Sequence, residues 1–336
     1  MAGAKKTDPT RGFTPEELAR IETGQPDLWA RMQAGELFAE DAARAWLNQT
    51  RHRRGDAPGK DEAAPPAPAP VAVQLPLWPE PVRAVPNGVL RSALFGAIRK
   101  GRRPMLDQVK LAALGGIELW YTGPRLDQGD LDAWGAILHT IRGQDMGREC
   151  RTTSAALLRL MGFADSGKHR KLLEEKIARL NAGAIKIRGG RYLYMGSLLD
   201  WAAKDEETQE WVIVLNPKLA ELFAPDQYTR LQWGTRRALA GQPLAQWLHG
   251  FYSSHAEPYP LRIETLQRLC GSEAGELKHF TQALKKALEA VERASAAAGE
   301  GFAWKIEGGL VYVERTPSAA QQRHLDKRGQ DSDPPY

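Results

Sequence analysis

Two distant stretches of this chain have nearly the same layout. Lys186-Ile187-Arg188-Gly189-Gly190-Arg191-Tyr192-Leu193-Tyr194 and Lys305-Ile306-Glu307-Gly308-Gly309-Leu310-Val311-Tyr312-Val313 each read as two short strands around a Gly-Gly pair. Tight two-residue hairpin turns can need positive φ at both central residues, which glycine takes without a Cβ clash. Each hairpin follows a segment with apolar residues at helical spacing and basic residues between them. Helix followed by hairpin is the nucleic-acid-facing half of a winged helix. Its double occurrence predicts an α+β chain with two tandem winged-helix domains, suited to gripping a long ligand such as duplex DNA.

Counting outward from Gly189-Gly190 predicts Arg188 opposite Arg191, Ile187 opposite Tyr192, Lys186 opposite Leu193 and Ile185 opposite Tyr194. Alternation puts Ile185, Ile187, Tyr192 and Tyr194 on one buried face and Lys186, Arg188 and Arg191 on the other. Facing arginines repel, which fits a polyanion contact and fits a solvated hairpin tip equally. The second hairpin carries Trp304, Ile306, Val311 and Val313 on its apolar face and points Lys305, Glu307, Leu310 and Tyr312 outward. It is less basic than the first. A third pair, Gly115-Gly116, lies between Leu111–Leu114 and Ile117–Tyr121 without a basic helix before it, and reads as a core hairpin.

The 336 residues divide by composition. Residues 1–54 are polar with short helical stretches, and the region is expected to be largely disordered or partly helical. Within it, Thr14-Pro15-Glu16-Glu17 is a helix start with Thr14 as N-cap and Glu17 closing a capping box. Residues 55–82 hold an Ala/Pro linker and a short apolar peptide. A first domain is expected over 83–215, a second over 216–316, and a disordered polar tail over 317–336. In the first, a helix spans Leu131–Ile141 with Asp130 as N-cap, another spans Ala155–Met161, and Ser166 caps a third reaching Asn181. In the second, helices span Leu244–Tyr252 and Glu264–Cys270. Ser272 starts a long one to Ala297 with Leu277, Phe280, Leu284, Leu288 and Val291 on its buried stripe.

The Ser166 helix opens with Lys168, His169, Arg170 and Lys171. Recognition helices read base edges near their N-termini, and cations there oppose the helix dipole unless an anion faces them. These residues therefore favour DNA contact over a plain solvated helix end. The long second helix offers Lys278, His279, Thr281, Gln282, Lys285 and Lys286 away from its stripe, where DNA contact and a solvated face are evenly matched. The net charge of +5 is a mild basic bias consistent with nucleic acid.

Other chemistries find little support. Gly162-Phe163-Ala164-Asp165-Ser166-Gly167-Lys168 imitates a phosphate-binding loop, but a helix precedes it and His169 follows where Ser or Thr is needed. Cys150 and Cys270 form no metal-ligand spacing, and no nucleophile–base set or His-hydrophobic-His nicking motif is present, so no catalysis and no cofactor are expected. No apolar run could span a bilayer, which predicts a cytoplasmic protein.

Gln74-Leu75-Pro76-Leu77-Trp78 follows the Ala/Pro linker. Gln, Leu, then Leu-aromatic is the pattern of bacterial peptides that dock on the DNA polymerase sliding clamp. Leu77 and Trp78 would fill an apolar pocket while Leu75 and the Gln74 amide anchor the start. The alternative is a hydrophobic strap folded back on the first domain.

From Gln74 to Arg315 the chain resembles the TrfA-type replication initiators of broad-host-range plasmids. The resemblance rests on Arg91-Ser92-Ala93-Leu94-Phe95, Tyr121-Thr122-Gly123, Phe251-Tyr252-Ser253-Ser254-His255, Glu257-Pro258-Tyr259-Pro260-Leu261, Glu264-Thr265 and Cys270-Gly271-Ser272, in that order. It implies a bacterial, plasmid-associated protein with two winged-helix domains that bind origin repeats called iterons. It also implies opening of adjacent AT-rich duplex, recruitment of helicase with the host initiator, and contact with the sliding clamp. Binding as a monomer is implied, with dimers inactive and restraining copy number. Single-stranded origin DNA is a further candidate ligand. Pro76, Trp78 and Glu276 depart from the family pattern. The rival readings are a double winged-helix transcriptional repressor and a purely structural or partner-binding protein.

Overall fold

The computed structural model describes residues 13–33, 74–99, 101, 103–189, 192–224 and 226–331. Residues 1–71 and 72–336 belong to separate compact units. In the first, α1 (Pro15–Gly24) starts at Thr14, whose hydroxyl accepts from Glu17 N at 3.3 Å while Glu17 accepts from Thr14 N at 2.9 Å. Ile21 of α1 packs with Met32 of α2 (Pro26–Gln33) and with Phe13, Leu18, Leu28 and Trp29. The Ala/Pro linker lies outside the described residues.

The second unit runs through β1 (Val82–Pro86), α3 (Asn87–Leu90), β2 (Phe95–Gly96), β3 (Met105–Leu111), β4 (Glu118–Pro124), β5 (Leu126–Asp127) and α4 (Gln128–Ile141). Next come β6 (Cys150–Thr153), α5 (Ser154–Met161), α6 (Gly167–Ala182), β7 (Ala184–Gly189), β8 (Tyr192–Ser197), β9 (Trp201–Lys204) and β10 (Glu210–Val214). A 3-10 turn over Pro217–Phe223 leads to β11 (Tyr228–Gln232), α7 (Trp233–Ala238) and α8 (Pro243–Ser253). The chain closes with β12 (Leu261–Arg262), α9 (Ile263–Leu269), α10 (Leu277–Ala297), β13 (Phe302–Glu307), β14 (Leu310–Arg315) and α11 (Ala319–Asp331).

Two parts of the unit share one strand order, and the hairpin in the earlier part is not the one expected. In the later copy a strand, two helices and a hairpin form the sheet order β12-β14-β13. In the earlier copy β6, α5, α6, β9 and β10 form β6-β10-β9, again with the last strand central. The counterpart of the Gly308-Gly309 hairpin is therefore β9–β10. The expected wing, β7–β8, is an insertion between α6 and β9. It pairs through β7 with β4 and completes a four-stranded sheet, β3-β4-β7-β8. Gly-Gly chemistry marks a turn but does not choose which strand lies alongside.

The first hairpin's register also differs from the count. Arg188 pairs with Leu193, Ile187 with Tyr194 and Lys186 with Met195. Gly189 pairs with Tyr192, so it belongs to the ladder, and Gly190 and Arg191 lie outside the described residues. The shift is even, so the faces survive: Ile185, Ile187 and Tyr194 are buried and Leu193 is exposed. The second hairpin matches its count, with Glu307 facing Leu310 and Ile306 facing Val311. Gly308 and Gly309 both take positive φ, 58° and 78°, as a two-residue turn with two left-handed residues requires. Gly115 and Gly116 lie in the longer connection from β3 to β4, and β3 is mostly exposed instead of core.

Several helix starts follow side-chain caps. Asp127 begins α4, with Asp130 as the returning member of its capping box, three residues before the expected start. Ser166 caps α6 by accepting from His169 N. Gly162, at φ 81°, ends α5 in the left-handed conformation. The long α10 begins at Leu277, not Ser272, because the Ser272 hydroxyl is used by Ala274 N at 3.2 Å. Leu277 is correspondingly exposed, while Phe280, Leu284, Leu288 and Val291 are buried as expected.

One core extends from Leu75 to Leu231 and a second from Leu239 to Val313. Residues 216–231 belong with the first, since Leu219, Phe223 and Leu231 are in it and β11 pairs with β1. The two cores are joined by polar bonds. Arg236 of α7, 1 % exposed, donates to Asp132 Oδ1 at 2.7 Å, Gln128 O at 3.0 Å and Gln246 O at 3.2 Å. The Trp247 indole donates to Ser92 O at 3.1 Å, and the Arg91 guanidinium donates to Ser254 Oγ at 3.0 Å and to its carbonyl. Among the described residues, no helix is long and apolar enough to cross a membrane.

Candidate nucleic-acid interface

Helix α6 is docked by its C-terminal half. Leu173, Ile177 and Leu180 enter the first core. Beside them, Arg179 pairs with Asp130 at 2.8 Å, and the buried Lys176 lies 3.7 Å from Asp130 and 3.9 Å from Asp127. These buried charges are occupied by the N-terminal carboxylates of α4. The N-terminal turn of α6 projects outward, with Lys168 and Lys171 exposed. Arg170 is held by Asp165 through two bonds of 2.6 Å, which keep the carboxylate below its usual range. The His169 ring packs on Phe163, with ring centres 5.0 Å apart, and its Nδ1 bonds to Ala164 O at 2.7 Å. Lys168 and Lys171 thus have no carboxylate within ion-pair distance among the described residues, whereas Arg170 does.

On α10, Lys278, His279, Gln282, Lys285 and Lys286 are exposed, and none of the three lysines is in an ion pair among the described residues. Thr281 is half-buried and its hydroxyl donates to Leu277 O at 2.7 Å, so its proton is already used. On the following hairpin, Lys305 pairs with Glu307 at 3.2 Å and lies 5.0 Å over the Tyr312 ring.

Lys186 and Arg188 sit elsewhere. They occupy the outer face of the four-stranded sheet, with Lys186 and Lys110 on the Trp120 ring at 4.9 and 5.2 Å. Arg188 lies 3.7 Å from Glu118. The inner face of the same strands, Ile185, Ile187 and Tyr194, shares the core with Leu173, Ile177 and Leu180 of α6. Lys186 and Arg188 therefore point away from α6 and do not join Lys168, contrary to the sequence expectation. The hairpin that does match the second copy, β9–β10, is acidic at its turn, with Asp205, Glu206 and Glu207. The amides of Thr208 and Glu207 hold Asp205 below the usual carboxylate range.

Arg237 was missed in the sequence. It is exposed and lies against the Gly162–Phe163 turn that leads into α6; a Cβ on Gly162 would meet its Nε at 2.5 Å. Only the adjacent pair Arg236-Arg237 hinted at it, and the pair does not say which arginine is buried.

The Gln74–Trp78 peptide is a strap on the first half of the unit. Leu75 and Trp78 are 2 % and 3 % exposed, whereas Leu77, at 68 %, faces outward. Burying two such side chains contributes roughly 1.5–3 kcal/mol each. The Gln74 amide donates to Asp145 Oδ1 at 2.9 Å, and the Trp78 indole donates to His139 Nδ1 at 3.0 Å. An accepting Nδ1 puts the imidazole proton on Nε2, where Glu80 accepts it at 2.7 Å. Burial lowers the His139 pKa, which favours this neutral tautomer.

The family model described as TrfA protein matches residues 71–315. The chain belongs to the TrfA family. Over 252 residues it is 29 % identical to the plasmid replication initiator protein TrfA of Escherichia coli, covering 71 % of this chain and 63 % of that protein. Over 184 residues it is 27 % identical to the replication protein RepA of Salmonella typhi, covering 50 % and 52 %. The matches thus span between about half and two thirds of these relatives' lengths. Among solved structures, domains 2 and 3 of RctB align with a TM-score of 0.47 at 15 % identity, over 68 % of this chain and 97 % of that one. The Pi initiator protein in complex with iteron DNA aligns with a TM-score of 0.42 at 11 % identity, over 56 % and 91 %. Two of the TrfA-like stretches, Arg91–Phe95 and Phe251–His255, meet where Arg91 bonds to Ser254.

Proposed function

We propose that the chain initiates plasmid replication by binding repeated duplex sites at an origin, as a pair of winged helices with α6 and α10 as the two groove-reading helices. The observation that carries this reading is the repeated strand–helix–helix–hairpin unit in a TrfA-family chain, each copy exposing lysines on its second helix that are in no ion pair among the described residues. Lys168 and Lys171 on one helix, with Lys278, Lys285 and Lys286 on the other, displace phosphate counterions. Gln282 reads the edge of an adenine, and Lys305 serves a flanking phosphate. The work is binding, not bond making. Two fixed helices on adjacent grooves strain the neighbouring duplex, which opens at easily unstacked steps and there receives the host helicase. The Gln74–Trp78 peptide is the segment for the polymerase clamp.

The test is fluorescence anisotropy with a duplex of direct repeats from the plasmid that encodes this chain, against a scrambled duplex at equal salt. Specific binding should be at least about a thousandfold tighter. Equal affinity for the two duplexes would remove the initiator reading.

A further inference from the structure

The clamp contact proposed above and the docked strap require the same side chains. Gln74, Leu75 and Trp78 are consumed by the first half of this unit: the amide by Asp145, the indole N–H by His139, and both apolar groups by the core. The backbone is held as well, since Arg142 Nε donates to Trp78 O at 3.1 Å and Arg230 donates to Leu77 O at 3.3 Å. We propose that Gln74–Trp78 is an interaction surface with two mutually exclusive occupants, the first half of this chain and the peptide groove of a sliding clamp, so that the chain carries its clamp peptide sequestered. The inference rests on the clamp reading and goes beyond it by assigning the competitor.

The fold allows the exchange. The strap is tied by one isolated bridge, Gln74 to Asp145, and regular strand pairing begins only at Val82. Peeling residues 74–78 away therefore breaks no sheet. Leu77 already faces outward and gives a clamp a first apolar contact before the other side chains transfer. Apparent affinity for a site that is only fractionally open falls by the open fraction. A strap closed nine times in ten or more weakens clamp binding at least about tenfold.

The experiment compares three ligands of one purified bacterial sliding clamp by calorimetry: a synthetic peptide of residues 71–81, the full chain, and the full chain with Arg142→Ala and Asp145→Ala. Both substituted residues touch the strap from outside the peptide. The peptide is expected to bind at least about tenfold more tightly than the chain, with the double variant recovering most of the gap. If peptide and full chain bind equally well, sequestration is refuted while the clamp reading stands. If the free peptide does not bind, the clamp reading itself falls and this inference with it. The peptide-against-chain comparison needs no variant, so it decides the matter even if the double variant fails to fold.

Discussion

Replacing Lys168 and Lys171 together by glutamine should change the salt dependence of DNA binding, whereas replacing Lys186 and Arg188 should not. The first two are exposed at the start of α6 and in no ion pair among the described residues; the second two lie on a sheet face turned away from that helix, one over Trp120 and one near Glu118. Each phosphate neutralised contributes a slope of about 0.9 to the fall of log affinity with log salt. Losing two contacts lowers the slope by about 1.8. Over a fourfold rise in salt, from about 50 to about 200 mM, each lost contact removes a factor of about 3.5 from the salt penalty, and two remove about 12. The assay is anisotropy titration of an iteron duplex across that range for wild type and both double variants. Glutamine keeps polarity and most of the length, so folding is not at issue at exposed sites. A slope reduced by the Lys186/Arg188 pair and untouched by the Lys168/Lys171 pair would refute the placement of the interface on α6.

Three further outcomes follow from the same structure. Arg236→Met leaves Asp132 and two backbone carbonyls without their buried donor and should cost about 3–5 kcal/mol in urea unfolding; a loss below about 1 kcal/mol would show that the joint does not depend on it. His249 is buried beside the Arg236 and Arg315 charges, and its pKa is pushed down to about 3. Because the folded value is depressed below the unfolded value near 6.5, the stability is complete above about pH 6.5 and declines toward pH 3, by about 2 kcal/mol between pH 6.5 and 5 from this residue alone; urea midpoints that do not move over that interval would contradict the burial. Gly147→Ala places a Cβ 2.8 Å from Pro217 Cγ at a φ of 84°, and should lower stability by about 1–3 kcal/mol; an unchanged thermal midpoint would deny the strain.

The legible parts of this fold were those written in local chemistry. The Thr14 and Ser166 caps, the stop at Gly162 and the Gly308-Gly309 turn are each set within a few residues, and each is found in place. The buried stripe of α10 could be read from spacing except at Leu277, whose position depended on where the helix began. What could not be read was partnership over long separations. Nothing near Gly189-Gly190 says that β7 will lie beside β4, some sixty residues earlier, or that β9–β10 and not β7–β8 will match the strand order of the later hairpin. Charge was legible only as composition: Lys176 and Arg179 look like Lys168 in sequence, but Asp127 and Asp130 claim them. The peptide at Gln74 could be read as clamp ligand or strap, and the deciding groups, His139 and Asp145, lie more than sixty residues away.

Two of the stretches that carry the family resemblance lie at the joint between the two cores. Arg91–Phe95 and Phe251–His255 are not on the proposed DNA face; they bind each other, while Trp247 donates to Ser92 O and Arg236 ties α7 to the start of α4. The pairing of β1 with β11 brings a late segment of the chain back into the first core. Such a joint fixes the separation and relative rotation of α6 and α10. Separation and rotation must suit the helical repeat of DNA whatever sequence is read, whereas the bases read depend on a few outward side chains. Exchanging Gln282 and Lys285 together should therefore alter which repeat is preferred without altering the spacing between the two half-contacts. Footprints of wild type and variant on a library of repeats with variable half-site spacing would separate the two properties. A variant that changes the optimal spacing would mean that the outward face of α10, and not the joint, sets the geometry.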